Sequence, residues 1–153
     1  MDSIDRKILA RVQEDATISI ADLAATVGLS TTPCWRRLRK LEAAGVITRR
    51  VALVDPEKVG LGLSVFVSIR TNRHGIEWME KFTRAVTKLP EVVEFYRIAG
   101  ENDYLLRVLV RDIPTYDAFY KRLIRVADLA NVTSSFAMEQ IKYTTAVPVE
   151  GAE

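Results

Sequence analysis

Four cations, Arg36, Arg37, Arg39 and Lys40, fall within residues 36–40, behind the hydroxyls of Ser30, Thr31 and Thr32 and beside Trp35. Guanidinium and ammonium groups bind phosphate, and hydroxyl and guanidinium donors can read base edges in the major groove. If the segment Ser30–Gly45, STTPCWRRLRKLEAAG, is a helix, Cys34, Leu38 and Leu41 share one apolar stripe at i, i+4, i+7. Thr31, Thr32, Trp35, Arg36 and Arg39 then share another stripe. A cationic, hydroxyl-bearing face backed by a core-facing stripe is what major-groove reading requires. Taken alone, it also describes an ordinary solvated surface helix.

The residues before it decide between the two. Asp2 and Asp5 form a capping pair ahead of a helix with Ile4, Ile8, Leu9 and Val12 inward and Arg6, Lys7 and Arg11 outward. Ser19 and Asp22 form a second pair, opening a helix on which Ile20, Leu23, Ala24 and Val27 repeat at helical spacing. Gly28 supplies the left-handed residue at its end, Leu29 packs back, and Ser30 opens the next helix. Pro33 is tolerated in a first turn, where backbone N–H groups lack intrahelical partners. Two helices joined by a short glycine turn, the second one basic, make a helix-turn-helix. Arg37 lies between the two faces, its stem over the core and its head toward phosphate. Trp35 either meets a thymine methyl or sugar, or packs beneath the helix against the first one. Arg49 and Arg50 sit where a wing or linker touches phosphate. Residues 1–50 are thus expected to be a helix-turn-helix domain, winged-helix-like, and 51–62 a linker strand or hinge stopped by Asp55-Pro56 and Gly60/Gly62.

Residues 63–153 alternate differently. Leu63–Arg70, Val92–Ile98, Tyr104–Val110 and Val132–Tyr143 read as strands. Residues 76–88 and 115–126 read as helices, the second with Tyr116, Phe119, Tyr120, Leu123 and Ile124 inward. The order β-α-β-β-α-β is the ferredoxin-like arrangement, so the predicted fold class is α+β. That topology puts both helices on one sheet face, yet the strands are apolar at both parities. The helix-free face therefore needs cover, and a second copy of the domain is the simplest cover. A symmetric dimer also carries two basic helices to two half-sites about one helical turn apart.

Composition sets the remaining bounds. The 153-residue chain carries a net charge of only +2, with nine Lys/Arg against six Asp/Glu in residues 1–50, so the positive field is local. No apolar run approaches the ~18–20 residues of a membrane span, and residues 1–7, MDSIDRK, lack a signal-like apolar region. A single cysteine excludes an internal disulfide and suits the cytoplasm. Cys34 belongs to the apolar stripe, where a thiol is inert. His74, the only histidine, has no companion for metal binding or acid–base work, and no nucleophile–base pair is spaced for catalysis. No enzyme activity, metal or cofactor is expected.

The segments IDRKIL, ADLAATVGLSTTPCWRRLRKLEAAGVI, GENDYLLRV and SSFAMEQIKYTT together resemble the Lrp/AsnC family of feast/famine regulators, across essentially the whole chain. Within it, DPEKVGLGL and TSSFAMEQIKYTT look most like the branch that includes a cysteine-responsive activator of cysteine breakdown. The resemblance implies a cytoplasmic transcriptional regulator that binds double-stranded DNA and forms dimers, commonly four to an octamer. It also implies an amino-acid effector, cysteine first, held between dimers. The site is expected at the turn Gly100, Glu101, Asn102, Asp103, Tyr104 and the start of the last strand, Thr133, Ser134, Ser135 and Phe136. The family turn is usually Gly-Asp-x-Asp, and here Glu101 replaces the first aspartate. Exposed amides near Gly100 can meet a carboxylate, Asp103 an ammonium, and the hydroxyls can add directional bonds. The same residues equally make a tight hairpin, with Gly100 at positive φ and Asp103 capping. Arg97 either reaches the ligand or pairs with Glu94 or Asp103. An architectural DNA-compacting protein with the same reading heads and no effector is the alternative.

Overall fold

The computed structural model describes residues 1–149. The chain divides into two compact units, Met1–Leu53 with the tail from Ile141, and Val54–Gln140.

The first unit holds three helices, α1 (Ser3–Glu14), α2 (Ile20–Val27) and α3 (Thr31–Ala43). Their starts follow local chemistry. Asp2 Oδ1 accepts from the Ile4 and Asp5 backbone N–H groups at 3.0 and 2.9 Å, and the Asp2 N–H donates to Asp5 Oδ2 at 3.0 Å, a complete capping box. Ser19 Oγ caps α2 through the Asp22 N–H at 3.1 Å. Gly28, at φ 72°, lets Leu29 N–H reach back to the Ala24 carbonyl at 2.9 Å, closing α2 and turning the chain into α3. The three inward stripes meet in one core of Ile8, Leu9, Val12, Leu23, Ala24, Val27, Cys34, Leu38 and Leu41. No wing strand forms among the described residues of this unit; residues 46–53 run without ladder partners.

The second unit is a four-stranded antiparallel sheet, ordered β2-β3-β1-β4, with two helices. Its elements are β1 (Leu63–Arg70), α4 (Ile76–Val86), β2 (Val92–Arg97), β3 (Tyr104–Val110), α5 (Ile113–Val126) and β4 (Asn131–Phe136). Val65, Val67 and Ile69 of β1 and Leu106, Val108 and Val110 of β3 face Phe82 and Val86 of α4 and Phe119 and Leu123 of α5. Ile124, expected inward, is exposed on the far side of α5.

The last strand is shorter than the expected Val132–Tyr143. Phe136 pairs with Val65 and the Ala137 N–H still reaches the Ser64 carbonyl at 2.9 Å, but β1 starts at Leu63, so the ladder runs out within two residues of Phe136. The chain then leaves the sheet, and the tail does not stay with the 63–153 domain. Gln13 grips it in the helical unit: Gln13 Oε1 accepts from the Val147 N–H at 2.8 Å, and Gln13 Nε2 donates to the Val147 carbonyl at 3.2 Å. Val149 packs against the helical core. The expected tail residues 150–153 lie outside the described residues.

Candidate nucleic-acid interface and effector end of the sheet

Helix α3 is defined at both ends. Ser30 holds the extended N-cap conformation, but its hydroxyl makes no capping bond and remains exposed. At the other end Gly45, at φ 71°, allows the Val46 N–H to reach the Leu41 carbonyl at 3.0 Å and the Gly45 N–H to reach Glu42 at 3.0 Å. A residue with a Cβ would be strained in that conformation. The helix buries Cys34, Leu38 and Leu41, and burial pushes the Cys34 thiol up, away from the reactive thiolate. Thr31, Thr32, Trp35, Arg36, Arg39 and Lys40 are all exposed. Trp35 is 55% exposed, so it is not packed beneath the helix. It forms one wall of a groove of about 290 Å³ whose floor includes Ile18, Ile20 and Leu23.

The cations of this region do not share one fate. Arg37 Nη1 donates to Asp2 Oδ2 at 2.6 Å and to Asp5 Oδ1 at 2.8 Å. Its head is therefore bound to the capping box of α1 and is not presented to phosphate, correcting its assignment as a DNA contact. The Asp5 amide and the Arg37 guanidinium hold the Asp2 carboxyl below the usual carboxylate range. Arg50, expected at phosphate, donates to Glu42 Oε1 at 3.0 Å and to the Ala16 carbonyl at 3.3 Å. Arg39 Nη1 donates to Glu42 Oε2 at 2.8 Å but stays 64% exposed. Among the described residues, Arg36, Lys40 and Arg49 form no ion pair, and all three are exposed. The open set is thus Ser30, Thr31, Thr32, Trp35, Arg36, Arg39, Lys40 and Arg49.

At the other candidate site, the turn between β2 and β3 and the start of β4 flank the end of β1. Ile69 pairs with Tyr104 on one side and with Val132 on the other. Gly100 has φ 144°, a backbone conformation that favours glycine, with open space where a Cβ would stand. Glu101 is exposed, and Asn102 half-buried. Asp103 is built into the scaffold. Its Oδ2 accepts from the Thr71 N–H at 2.7 Å, its N–H donates to the Ile69 carbonyl at 2.9 Å, and its carbonyl accepts from the Ile98 N–H at 2.9 Å. It therefore ties the turn to β1, leaving one carboxylate oxygen for other work. Tyr104 is buried against Phe82 and Phe95, and burial pushes its phenol up.

Strand parity divides the remaining residues. Thr133 and Ser135 lie opposite Ser68 and Phe66, on the helix-free face. Ser134 lies opposite Val67, on the helix side, where it hydrogen-bonds the Tyr116 hydroxyl. Phe136 packs edge-on against Tyr116 with ring centres 5.3 Å apart. Ser134 and Phe136 thus serve the α5 contact, and the predicted cluster of four does not form one surface. Arg97 is exposed opposite Tyr104, and it pairs with neither Glu94 nor Asp103. Glu94 belongs instead to Arg107, at 2.6 Å, which holds the Glu94 carboxyl below its usual range.

Comparison with known proteins agrees with both regions. Residues 1–48 match the winged helix-turn-helix DNA-binding family, and residues 64–147 match the Lrp/AsnC ligand binding domain. The chain belongs to the Lrp/AsnC family of transcriptional regulators. Among members of this family, it is 57% identical to the DNA-binding transcriptional activator DecR of Escherichia coli, over 98% of this chain and 99% of that one. It is 48% identical to a glutamate uptake regulatory protein of Zymomonas mobilis, over 97% and 91%. A crystal structure of an AsnC family regulator from Agrobacterium tumefaciens superposes with a TM-score of 0.95 at 62% identity, covering 97% of each chain. A regulator from Neisseria meningitidis solved as a complex with L-Met superposes with 0.93 at 36% identity, covering 98% and 97%.

Membership in the Lrp/AsnC family makes the chain a DNA-binding transcriptional regulator and not an enzyme. No described helix is long and apolar enough to cross a membrane, and no described cluster of metal-ligating side chains occurs. Two partnerships were not legible in the sequence. Asp2 and Asp5 were legible as caps, but their pairing with Arg37 crosses more than thirty positions that no periodicity relates. Thr71, only 3% exposed, donates its N–H to Asp103, and its hydroxyl oxygen accepts from the Arg73 N–H at 3.0 Å. Its one signal was a threonine directly after a strand, a place where hydroxyls often turn the chain.

Proposed function

We propose that this regulator reads DNA as a symmetric dimer and answers to a small amino acid, with cysteine the first candidate. The observation that carries the reading is the open set on and beside α3, because the acids of the helical unit neutralise Arg37 and Arg50 yet leave Arg36, Lys40 and Arg49 unpaired among the described residues. Thr31, Thr32, Trp35 and Arg36 face bases, while Ser30, Arg39, Lys40 and Arg49 face phosphates. One bidentate base contact discriminates by only ~1–3 kcal/mol, so a small head needs a twin for useful specificity.

The sheet supplies the means of pairing. On its helix-free face Phe66, Val93 and Tyr96 are exposed around Leu105 and Leu109, an apolar area that a second copy covers. The effector lies at the β1 end, between dimers in a larger assembly such as an octamer. There the Gly100–Asp103 turn offers amides to a carboxylate, the free Asp103 oxygen and Glu101 meet an ammonium, and Thr133 and Ser135 add hydroxyls. The L-Met complex of the Neisseria meningitidis relative supports an amino acid of modest size. A ligand shifts DNA binding only by its differential affinity for two states of the assembly.

The deciding experiment is a thermal-shift panel of free amino acids read beside operator binding. An effector at 100 times its dissociation constant adds ~2.7 kcal/mol of stability. A response to cysteine supports the finer assignment, and a response to another amino acid replaces it. Unchanged stability and DNA binding across the whole panel would remove the effector.

A further inference from the structure

Glu42 stands on the reading helix among cations, and its carboxylate is fully committed. Oε2 accepts from Arg39 Nη1 at 2.8 Å, and Oε1 accepts from Arg50 Nη2 at 3.0 Å. The far nitrogen of Arg50 is itself fixed by the Ala16 carbonyl at 3.3 Å, in the turn between α1 and α2. The carboxylate side chain is 24% exposed, less than either partner, so it is the rigid member of the trio. Glu42 occupies the last turn of α3, where the helix macrodipole disfavours an acid. The two arginines offset that cost, and α3 carries no other acid.

We propose that Glu42 is a specificity-determining residue, positioning Arg39 for the operator and holding it back from DNA at large. This inference rests on the reading that the exposed face of α3 enters the major groove. A free guanidinium on a flexible stem binds any phosphate it meets, and such contacts are the source of non-specific affinity. Paired with Glu42, Arg39 is held in one geometry, and moving it to an arbitrary phosphate breaks a charge-assisted hydrogen bond. Moving it also strands a carboxylate close to the anionic backbone. Where the operator places its phosphate within reach of the held rotamer, neither cost arises. The carboxylate thus penalises wrong DNA more than right DNA, which is how discrimination arises from a repulsive element.

The experiment replaces Glu42→Gln, which keeps the shape and removes the charge. The full chain is titrated against an operator selected in vitro from random duplexes, and against a scrambled duplex, over a series of salt concentrations. Expected is a gain in scrambled-duplex affinity of about three- to tenfold at low salt, with a salt slope steeper by about one. The operator gains less, so the ratio of the two affinities falls. The effect runs through Arg39, so in an Arg39→Ala background Glu42→Gln leaves the ratio unmoved, while in an Arg50→Met background the fall persists. Equal gains on both duplexes, or a fall of the same size without Arg39, would overturn the proposal. A wild-type chain with no operator preference would overturn the groove assignment, and the inference with it. Should Glu42→Gln fail to fold, Arg39→Lys is the second test. It keeps the charge but loses the planar fork. A lowered ratio then supports the positioning role, and an unchanged one rejects it.

Discussion

On α3, whether a cation is presented depends on its angle around the helix and on which acids lie within reach. On β4, the role of a hydroxyl depends on strand parity. The helical unit contains six basic residues between positions 36 and 50, and the fold withdraws two of these, Arg37 and Arg50, into pairs with Asp2, Asp5 and Glu42. The sheet unit contains three adjacent hydroxyls, Thr133, Ser134 and Ser135, and the pleat turns the middle one to Tyr116. Charge on a helix can be sorted by partners far away in sequence, because long side chains reach across an interface. Hydroxyls on a strand are short, so they serve whichever face they are on.

The largest expected effect concerns cores, not sites. Phe82 stacks on Trp78 at 5.0 Å and meets Phe95 and Tyr104 as well. Phe82→Ala should cost about 3–5 kcal/mol of stability in denaturant unfolding, because it removes the hub of that aromatic cluster. Next come Arg36 and Arg37, neighbours in sequence with opposite roles. Arg36→Ala should cost ~1–3 kcal/mol of operator binding and lower the salt slope, with stability nearly unchanged. Arg37→Met should lower the melting temperature of the helical unit, with the salt slope of DNA binding unchanged. Reversed outcomes would show that the clamp yields to DNA.

A smaller effect tests parity. Ser134→Ala should cost ~0.5–1.5 kcal/mol by leaving the buried Tyr116 hydroxyl without its partner, whereas Thr133→Ala should stay within about 0.5 kcal/mol. If amino-acid binding is then weakened by Thr133→Ala and spared by Ser134→Ala, the division of β4 into two faces holds. The smallest effect is in acid. Asp2 titrates below its ordinary value of 3.8 in the folded chain, so its contribution is present above that value and is lost as pH falls through the lower folded one. The melting temperature of the helical unit should fall in that window, and Asp2→Asn should flatten the decline.

The helices, the caps at Asp2 and Ser19, the glycine turns at 28 and 45 and the order of the sheet elements were legible because each depends on residues a few positions apart. Capping pairs, i, i+4 stripes and two-residue alternation are local rules, and chain geometry leaves them little freedom. The same locality placed Thr31, Thr32, Arg36 and Arg39 on one exposed face, where the fold keeps them. The length of β4 was not legible, since it depends on where its neighbour β1 begins. The tail from Ile141 was not legible either, since its anchor is the Gln13 amide at the opposite end of the sequence. The sequence by itself determined which segments are helix and strand and that a basic reading helix exists. Only the tertiary structure decided which of its cations remain available, because an ion pair follows distance in space, and residues such as Asp2 and Arg37 become neighbours only when the helices pack.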